Sequence, residues 1–222
     1  MIGHPNLQFW ATGQDYNDHS KNGFVGTNTS VDIVQGVIGS GLLVNALTDK
    51  IEYGDQAVLN FERTNSFTIC FWLKGTIPSA RANLFGKVTS PTPKGWWVTN
   101  SGAADGNGMV ELFLINAWGS NWLLVRGGQM SGTWQHFAFT YSGTSNANDV
   151  KMLVNGVPIT PNVAINSLSA SILTTASMVV GTNLTSQAAM ASTVDDLQIY
   201  NCVLSSADIK RIMMGKHPLT RS

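Results

Sequence analysis

From Trp134 to Tyr141 the chain alternates, with Trp134, His136, Ala138 and Thr140 on one side of an extended backbone and Gln135, Phe137, Phe139 and Tyr141 on the other. A period of two is that of a β-strand, whose successive side chains point to opposite faces of a sheet. Both faces here are largely apolar, so the strand is expected to be covered on both sides. The next run, Lys151 to Val154, stops at Asn155-Gly156, the dipeptide that best supplies the two positive φ angles of a type I′ hairpin. A further strand is therefore expected from Val157. Similar segments recur near residues 7–10, 31–34, 41–44, 57–61, 67–74, 83–88, 95–99, 109–115, 121–126, 178–181 and 194–200, separated by polar, Gly-rich or Pro-rich turns. This cadence predicts an all-β, antiparallel β-sandwich rather than alternating strands and helices. Ala164 to Ser177, rich in Ser, Thr and Ala, reads as a loop with a short strand, and no fixed-period repeat points to a propeller or solenoid.

One segment breaks the pattern. In Ser205 to Met214, Ser205 is placed to cap a short C-terminal helix, Asp208 completes a capping-box spacing, and Ile209, Ile212 and Met213 share a face. Its expected role is to pack on the sandwich edge.

Several motifs stand in an order that resembles a known family. These are Phe67-Thr-Ile-Cys-Phe-Trp-Leu73, the Trp134-x-His136-x-Ala138-x-Thr140-Tyr141 strand with the following Val154-Asn-Gly156, Val194-Asp-Asp-Leu-Gln-Ile-Tyr-Asn201, and the early turn Asp18-His-Ser-Lys-Asn-Gly23. Together they resemble the concanavalin A-like, laminin-G-like jelly-roll superfamily. The resemblance covers roughly residues 7–213, which implies a single domain over 1–222 with short terminal tails.

Composition narrows the function classes. Charged residues make up 12% of the chain, about half the usual share of roughly 25%, and the formal net charge is zero. The surface is thus expected to be polar but mostly uncharged, with no footprint for nucleic acid or an anionic membrane. No run of eighteen apolar residues and no secretory signal occurs. If Met1 is the native start, synthesis is cytoplasmic. The two cysteines, Cys70 and Cys202, read as reduced thiols, with a bridge between neighbouring strands as the alternative.

Glucanases of this superfamily need two carboxylates about 5 Å apart, from an E-x-D-x-E spacing on one strand face. The three glutamates, Glu52, Glu62 and Glu111, stand alone, and Asp195 and Asp196 are expected on opposite faces of their strand. His136 reads as a core histidine with a hydrogen-bonded ring. A hydrolase or lyase is accordingly the least favoured reading. Asp18 lies in a turn with Ser20 and Asn22, oxygen donors of the kind calcium takes. Asp195, expected to share its face with Leu197 and Ile199, needs a partner. Resemblance to laminin-G-like relatives implies a calcium shared by Asp18 and Asp195. The alternative is that each caps a turn through backbone N–H groups.

Sugar recognition needs flat apolar faces ringed by polar groups. Trp96 and Trp97, of which at least one must point away from the core, and Trp118 and Trp122, which flank a Gly-Ser-Asn turn, are the candidates, with Asn116, Asn121 and Arg126 close by. Trp72 and Trp134 are expected in the core. Two readings lead. One is a non-catalytic surface protein of a larger assembly, with a bacteriophage virion as its setting, capsid or tail proteins as partners, and glycans of a cell surface or mucus as ligands. The other is a calcium-assisted carbohydrate-binding module. The sandwich edges near the termini, Met1–Asn6 and the tail from Gly215 to Ser222 are the expected contacts with a partner or in a homo-oligomer.

Overall fold

Apolar positions at a period of two become sixteen strands among the residues that the structure, a computed structural model, describes, namely 4–182, 188 and 191–218. In chain order they begin with β1 (Leu7–Ala11), β2 (Thr27–Thr29), β3 (Asp32–Gln35), β4 (Ser40–Val44), β5 (Lys50–Glu52) and β6 (Phe67–Gly75). β7 (Ala82–Val88), β8 (Gly95–Asn100), the single-turn helix α1 (Gly102–Gly106), β9 (Met109–Ala117), β10 (Asn121–Gln129) and β11 (Gln135–Tyr141) follow. The chain ends with β12 (Lys151–Val154), β13 (Val157–Ile159), β14 (Asn162–Asn166), β15 (Met178–Gly181), β16 (Ser192–Tyr200) and helix α2 (Ser206–Met213).

The strands form two antiparallel sheets. One runs β13-β12-β11-β6-β16-β4-β3, with β1 also paired to β16, and the other runs β14-β10-β9-β8-β7-β15-β5-β2. Between them lies the main core, built from the inward positions Phe67, Ile69, Phe71, Phe137, Phe139 and Tyr141 of one sheet and Phe85, Trp96, Val98, Leu112 and Leu114 of the other. Each sheet also carries apolar residues on its outer face, so this is an all-β sandwich with three apolar layers rather than one. On the first sheet, α2 presses Ile209 and Ile212 onto Cys70, Ala138, Leu153 and Tyr200. Val88, Trp97, Phe113, Ile115 and Leu124 form the layer on the second. Among the described residues no helix is long and apolar enough to cross a membrane.

The Asn155-Gly156 turn has φ of 50° and 73°, and Val154 faces Val157 across it, the two-residue hairpin that the dipeptide predicts. Ser205 caps α2 as expected, its Oγ accepting from the Asp208 N–H at 3.2 Å. Residues 57–61 are not a strand. Ala57–Leu59 is a 3-10 turn that drops Leu59 into the core, where its carbonyl accepts from Trp96 Nε1 at 2.8 Å. Three strands go beyond the period-two pattern. β2 and β5 have three residues each, and β14 is an edge strand with mostly exposed side chains, so none carries a readable alternation. α1 spans only five residues, too few for a helical period, and ends at Asn107 in the left-handed region.

The segment after α2 folds back rather than extending. Lys216 N–H donates to the Arg211 carbonyl, and Arg211 Nε donates to the His217 carbonyl at 2.9 Å. Met1 to Gly3 and residues 219–222 of the expected partner-binding tails lie outside the described residues.

Candidate functional site

The outer face of the second sheet gathers three of the four expected sugar-binding indoles, Trp97, Trp118 and Trp122, though not all in the expected roles. β8 is central, between β7 and β9. Its consecutive residues Trp96 and Trp97 do point to opposite faces, Trp96 to the main core and Trp97 outward. Both are nevertheless only 1% exposed, because Trp97 is roofed by other rings. Its centroid lies 5.1 Å from Phe113 and 6.3 Å from Trp118. Phe113 in turn stacks on Trp122 at 5.7 Å and 6° between planes, and Trp118 lies 4.6 Å from Trp122. Trp118, at the β9–β10 turn where Gly119 takes φ 80°, remains 42% exposed. Trp118 is therefore the exposed indole of the four and Trp122 is half-buried, while Trp96 and Trp97 are structural.

Asn121 is structural too. Its Nδ2 donates to Ser169 Oγ at 2.7 Å and its Oδ1 accepts from the Ser169 and Ala170 N–H groups, which ties the turn to the 167–171 loop. Asn116 Nδ2 donates to the Ser171 carbonyl at 2.6 Å. Trp72 and Trp134, expected in the core, are only half-buried. Trp72 sits on the outer face of the first sheet, and Trp134 precedes β11.

One border of the aromatic face is charged. Glu111, fully buried, accepts from Arg81 Nε at 2.7 Å and Thr99 Oγ1 at 2.9 Å, and Arg126 lies 3.8 Å away. The Arg81 guanidinium carbon sits 5.3 Å from the Phe113 ring centre. Glu111 and Arg81 were not singled out together from the sequence, since 30 residues separate them and only strand pairing joins them.

A cleft opens on the other side of the molecule, and its origin is a bulge. β16 pairs with β4 through Ser192–Val194 and with β1 through Leu197–Tyr200, and between these stretches Asp196 adopts φ 49°. Inward positions are consequently Val194, Leu197 and Ile199. Asp195 thus does not share its face with Leu197 and Ile199, and the two carboxylates are not divided between the two faces. Asp195 Oδ2 accepts from the Val37 and Ile38 N–H groups at 2.7 and 2.9 Å. Asp196 accepts from Trp10 Nε1 at 2.6 Å and from Gln198 Nε2 at 2.9 Å. Burial pushes the Asp196 carboxyl up to about 6, against these hydrogen bonds. Around the Trp10–Asp196 contact lies a cavity of about 490 Å³, walled by the 12–21 loop, Ile38 and the returning His217. Sequence reading missed it because its residues are dispersed from His4 to His217.

The implied calcium does not fit these residues. Asp18 is wrapped by donors: Trp10 N–H and Ser20 N–H to Oδ1, each at 2.8 Å, and Ser20 Oγ at 2.8 Å and Phe24 N–H at 3.3 Å to Oδ2. A cation would have to displace these hydrogens. Asp195 is committed to a different turn, the alternative that each carboxylate caps its own loop. Among the described residues no group of three or more His, Cys, Asp or Glu is placed to hold a metal ion.

His136 is buried as expected, 1% exposed and edge-on to Trp72, but neither ring nitrogen finds a hydrogen-bond partner. Burial depresses its pKa to about 4. Cys70 and Cys202 are free thiols, and burial raises the pKa of both.

Solved structures of similar fold include toxin binding domains. The binding domain of Paraclostridial Mosquitocidal Protein 1 superposes with a TM-score of 0.72 at 18% identity, over 92% of this chain and 51% of that one. The binding domain of Botulinum neurotoxin DC, solved in complex with rat synaptotagmin II, gives 0.72 at 12% identity, over 95% of this chain and 51% of that one. The binding domain of serotype G gives 0.70 at 11% identity, with 95% and 51% covered. This chain therefore spans about half the length of those domains, and the likeness is one of fold. No curated protein matches the chain in sequence. The family model Laminin_G_3 matches residues 46–210, so the chain belongs to that family of the concanavalin A-like lectin/glucanases superfamily, the class to which its strand motifs and two-sheet jelly-roll architecture both lead.

Proposed function

We propose that this chain is a non-catalytic recognition domain that holds a saccharide against Trp118, on the outer face of the β8–β9–β10 sheet. The observation that carries this reading is the ring stack of Trp97, Phe113, Trp122 and Trp118, which leaves the outermost indole 42% exposed on a rigid base. A pyranose presents a face of C–H groups that packs on an indole, and its hydroxyls seek donors and acceptors at the rim. Arg81 and Arg126 border the face on the side of Glu111. A glycosidase would need a second carboxylate facing the first, whereas Glu111 is held by Arg81 and Thr99, and Asp195 and Asp196 belong to the other sheet.

The setting we infer is the surface of a larger assembly, with a phage capsid or tail as the leading instance and cell-surface or mucus glycans as ligands. A chain with 12% charged residues and zero formal net charge supports it, since weak long-range repulsion favours close association. So does the likeness in fold to domains described as binding domains.

The test is a glycan array read with the full chain and with Trp118→Ala and Trp122→Ala. Saccharide binding that falls at least tenfold in Trp118→Ala, with the melting temperature nearly unchanged, is the expected result. Binding untouched by Trp118→Ala, or silence across the array from folded protein, would overturn the reading.

A further inference from the structure

The cleft beside Trp10 lies on the opposite sheet and takes no part in the saccharide face described above. We propose that it is a second binding site, for a sugar unit that carries a carboxylate. At about 490 Å³ its volume falls within the usual range for small-ligand sites, roughly 300–1,000 Å³. The Trp10 indole forms the apolar wall, and two imidazoles stand edge-on to it, His217 with its ring centre 5.6 Å away and His19 at 6.5 Å. The His217 wall is fixed in place, because its carbonyl is held by Arg211 of α2.

Lys21 is the ammonium in the lining, and the carboxylates near it are held by other partners. Asp196, the carboxyl in the lining, has one oxygen committed to Trp10 Nε1 and the other to Gln198 Nε2, so it faces its own sheet. Asp15, just outside, is engaged by His19 Nε2 at 2.9 Å. Lys21 donates to the Pro5 carbonyl at 2.6 Å, and an ammonium has three N–H bonds, which leaves two for a ligand. The Gln14 amide lies in the lining and suits hydroxyl groups. An apolar indole, with the exposed Lys21 ammonium and Gln14 amide at the rim, matches the C–H face, the carboxylate and the hydroxyls of a uronic acid. A uronate carboxylate can accept a charge-assisted hydrogen bond from Lys21, which a neutral hexose cannot. Free uronates and uronate units of acidic polysaccharides share this chemistry.

The experiment is titration of the full chain with glucuronate, glucose and a galacturonate trimer, followed by tryptophan fluorescence and calorimetry. Wild-type protein, Lys21→Ala, His19→Ala and Trp118→Ala are compared, with thermal melts to confirm folding. Glucuronate is expected to bind at least tenfold more tightly than glucose. Its affinity should fall at least tenfold in Lys21→Ala, fall in His19→Ala and persist in Trp118→Ala. A trimer that binds more tightly than the monosaccharide assigns the site to a polysaccharide, and equal affinity assigns it to the free sugar. Absent binding, equal affinity for glucose, or full affinity in Lys21→Ala would overturn the proposal. Loss in Trp118→Ala alone would place the sugar on the other face and uphold only the Trp118 reading.

Discussion

His136 and Asp196 both sit on the outer side of the first sheet, and burial pulls their titrations toward each other. His136 falls from 6.5 to about 4, so the fold keeps it neutral where the unfolded chain would take a proton. Its contribution to stability is complete above pH 6.5 and is lost as pH falls toward 4. Asp196 rises from 3.8 to about 6, so the fold holds its proton longer than the unfolded chain does. That contribution is complete below pH 3.8 and is lost as pH rises through 6. Each displacement corresponds to about 3 kcal/mol, and the two oppose one another across nearly the same window. Urea denaturation at pH 4, 5 and 6.5 should therefore separate the single variants from wild type in opposite directions. Relative to wild type, Asp196→Asn should lose stability as pH falls from 6.5 to 4, and His136→Phe should gain it. Variants whose pH slopes run parallel to wild type would show that neither group titrates in this way. Neither neighbourhood is legible at the residue scale. His136 reads as buried from its strand position, but the missing partner for its ring depends on which side chains pack over it.

At the scale of single elements, α2 is the best-specified piece. Ser205 caps it, and Ile209 and Ile212 are buried against Cys70, Ala138 and Leu153. Ser205→Ala should cost about 1 kcal/mol, read as a lower urea midpoint at unchanged slope; no change in midpoint would mean that packing alone holds the helix. Strands with strong alternation, such as β6 and β11, are readable because both faces of each residue pair are set by the pleat. β16 shows where that rule stops. Its alternation predicts opposite faces for Asp195 and Asp196, yet a bulge at the handover from β4 to β1 inserts one residue and resets the faces. The positive φ of Asp196 is what the bulge requires. A short polar Asp-Asp run in a strand was the signal available, but which neighbour each half of β16 would find was not in it.

Across the described residues, stability comes from the inter-sheet core and the two outer apolar layers, and Asp18 and Asp195 are held by N–H and O–H donors. Addition of EDTA should therefore leave the melting temperature unchanged; a fall reversed by calcium would show that Asp18 or Asp195 ligates metal despite its hydrogen bonds. The free thiols make the corresponding case for redox: dithiothreitol should not shift the melt, and a downward shift would reveal a Cys70–Cys202 bridge. The sequence by itself determined the all-β class, the tight Asn155-Gly156 hairpin, the C-terminal helix and its cap, because each depends on residues within a turn or two of one another. Only the tertiary structure decided which indoles are exposed. Trp97 points outward as alternation requires and is still buried, since Phe113 of the next strand and Trp118 of the turn after it fold over it. The Trp10 cleft was decided in the same way, by the meeting of β1, β16, the 12–21 loop and the segment after α2, whose residues lie up to 213 positions apart in the chain from His4 to His217.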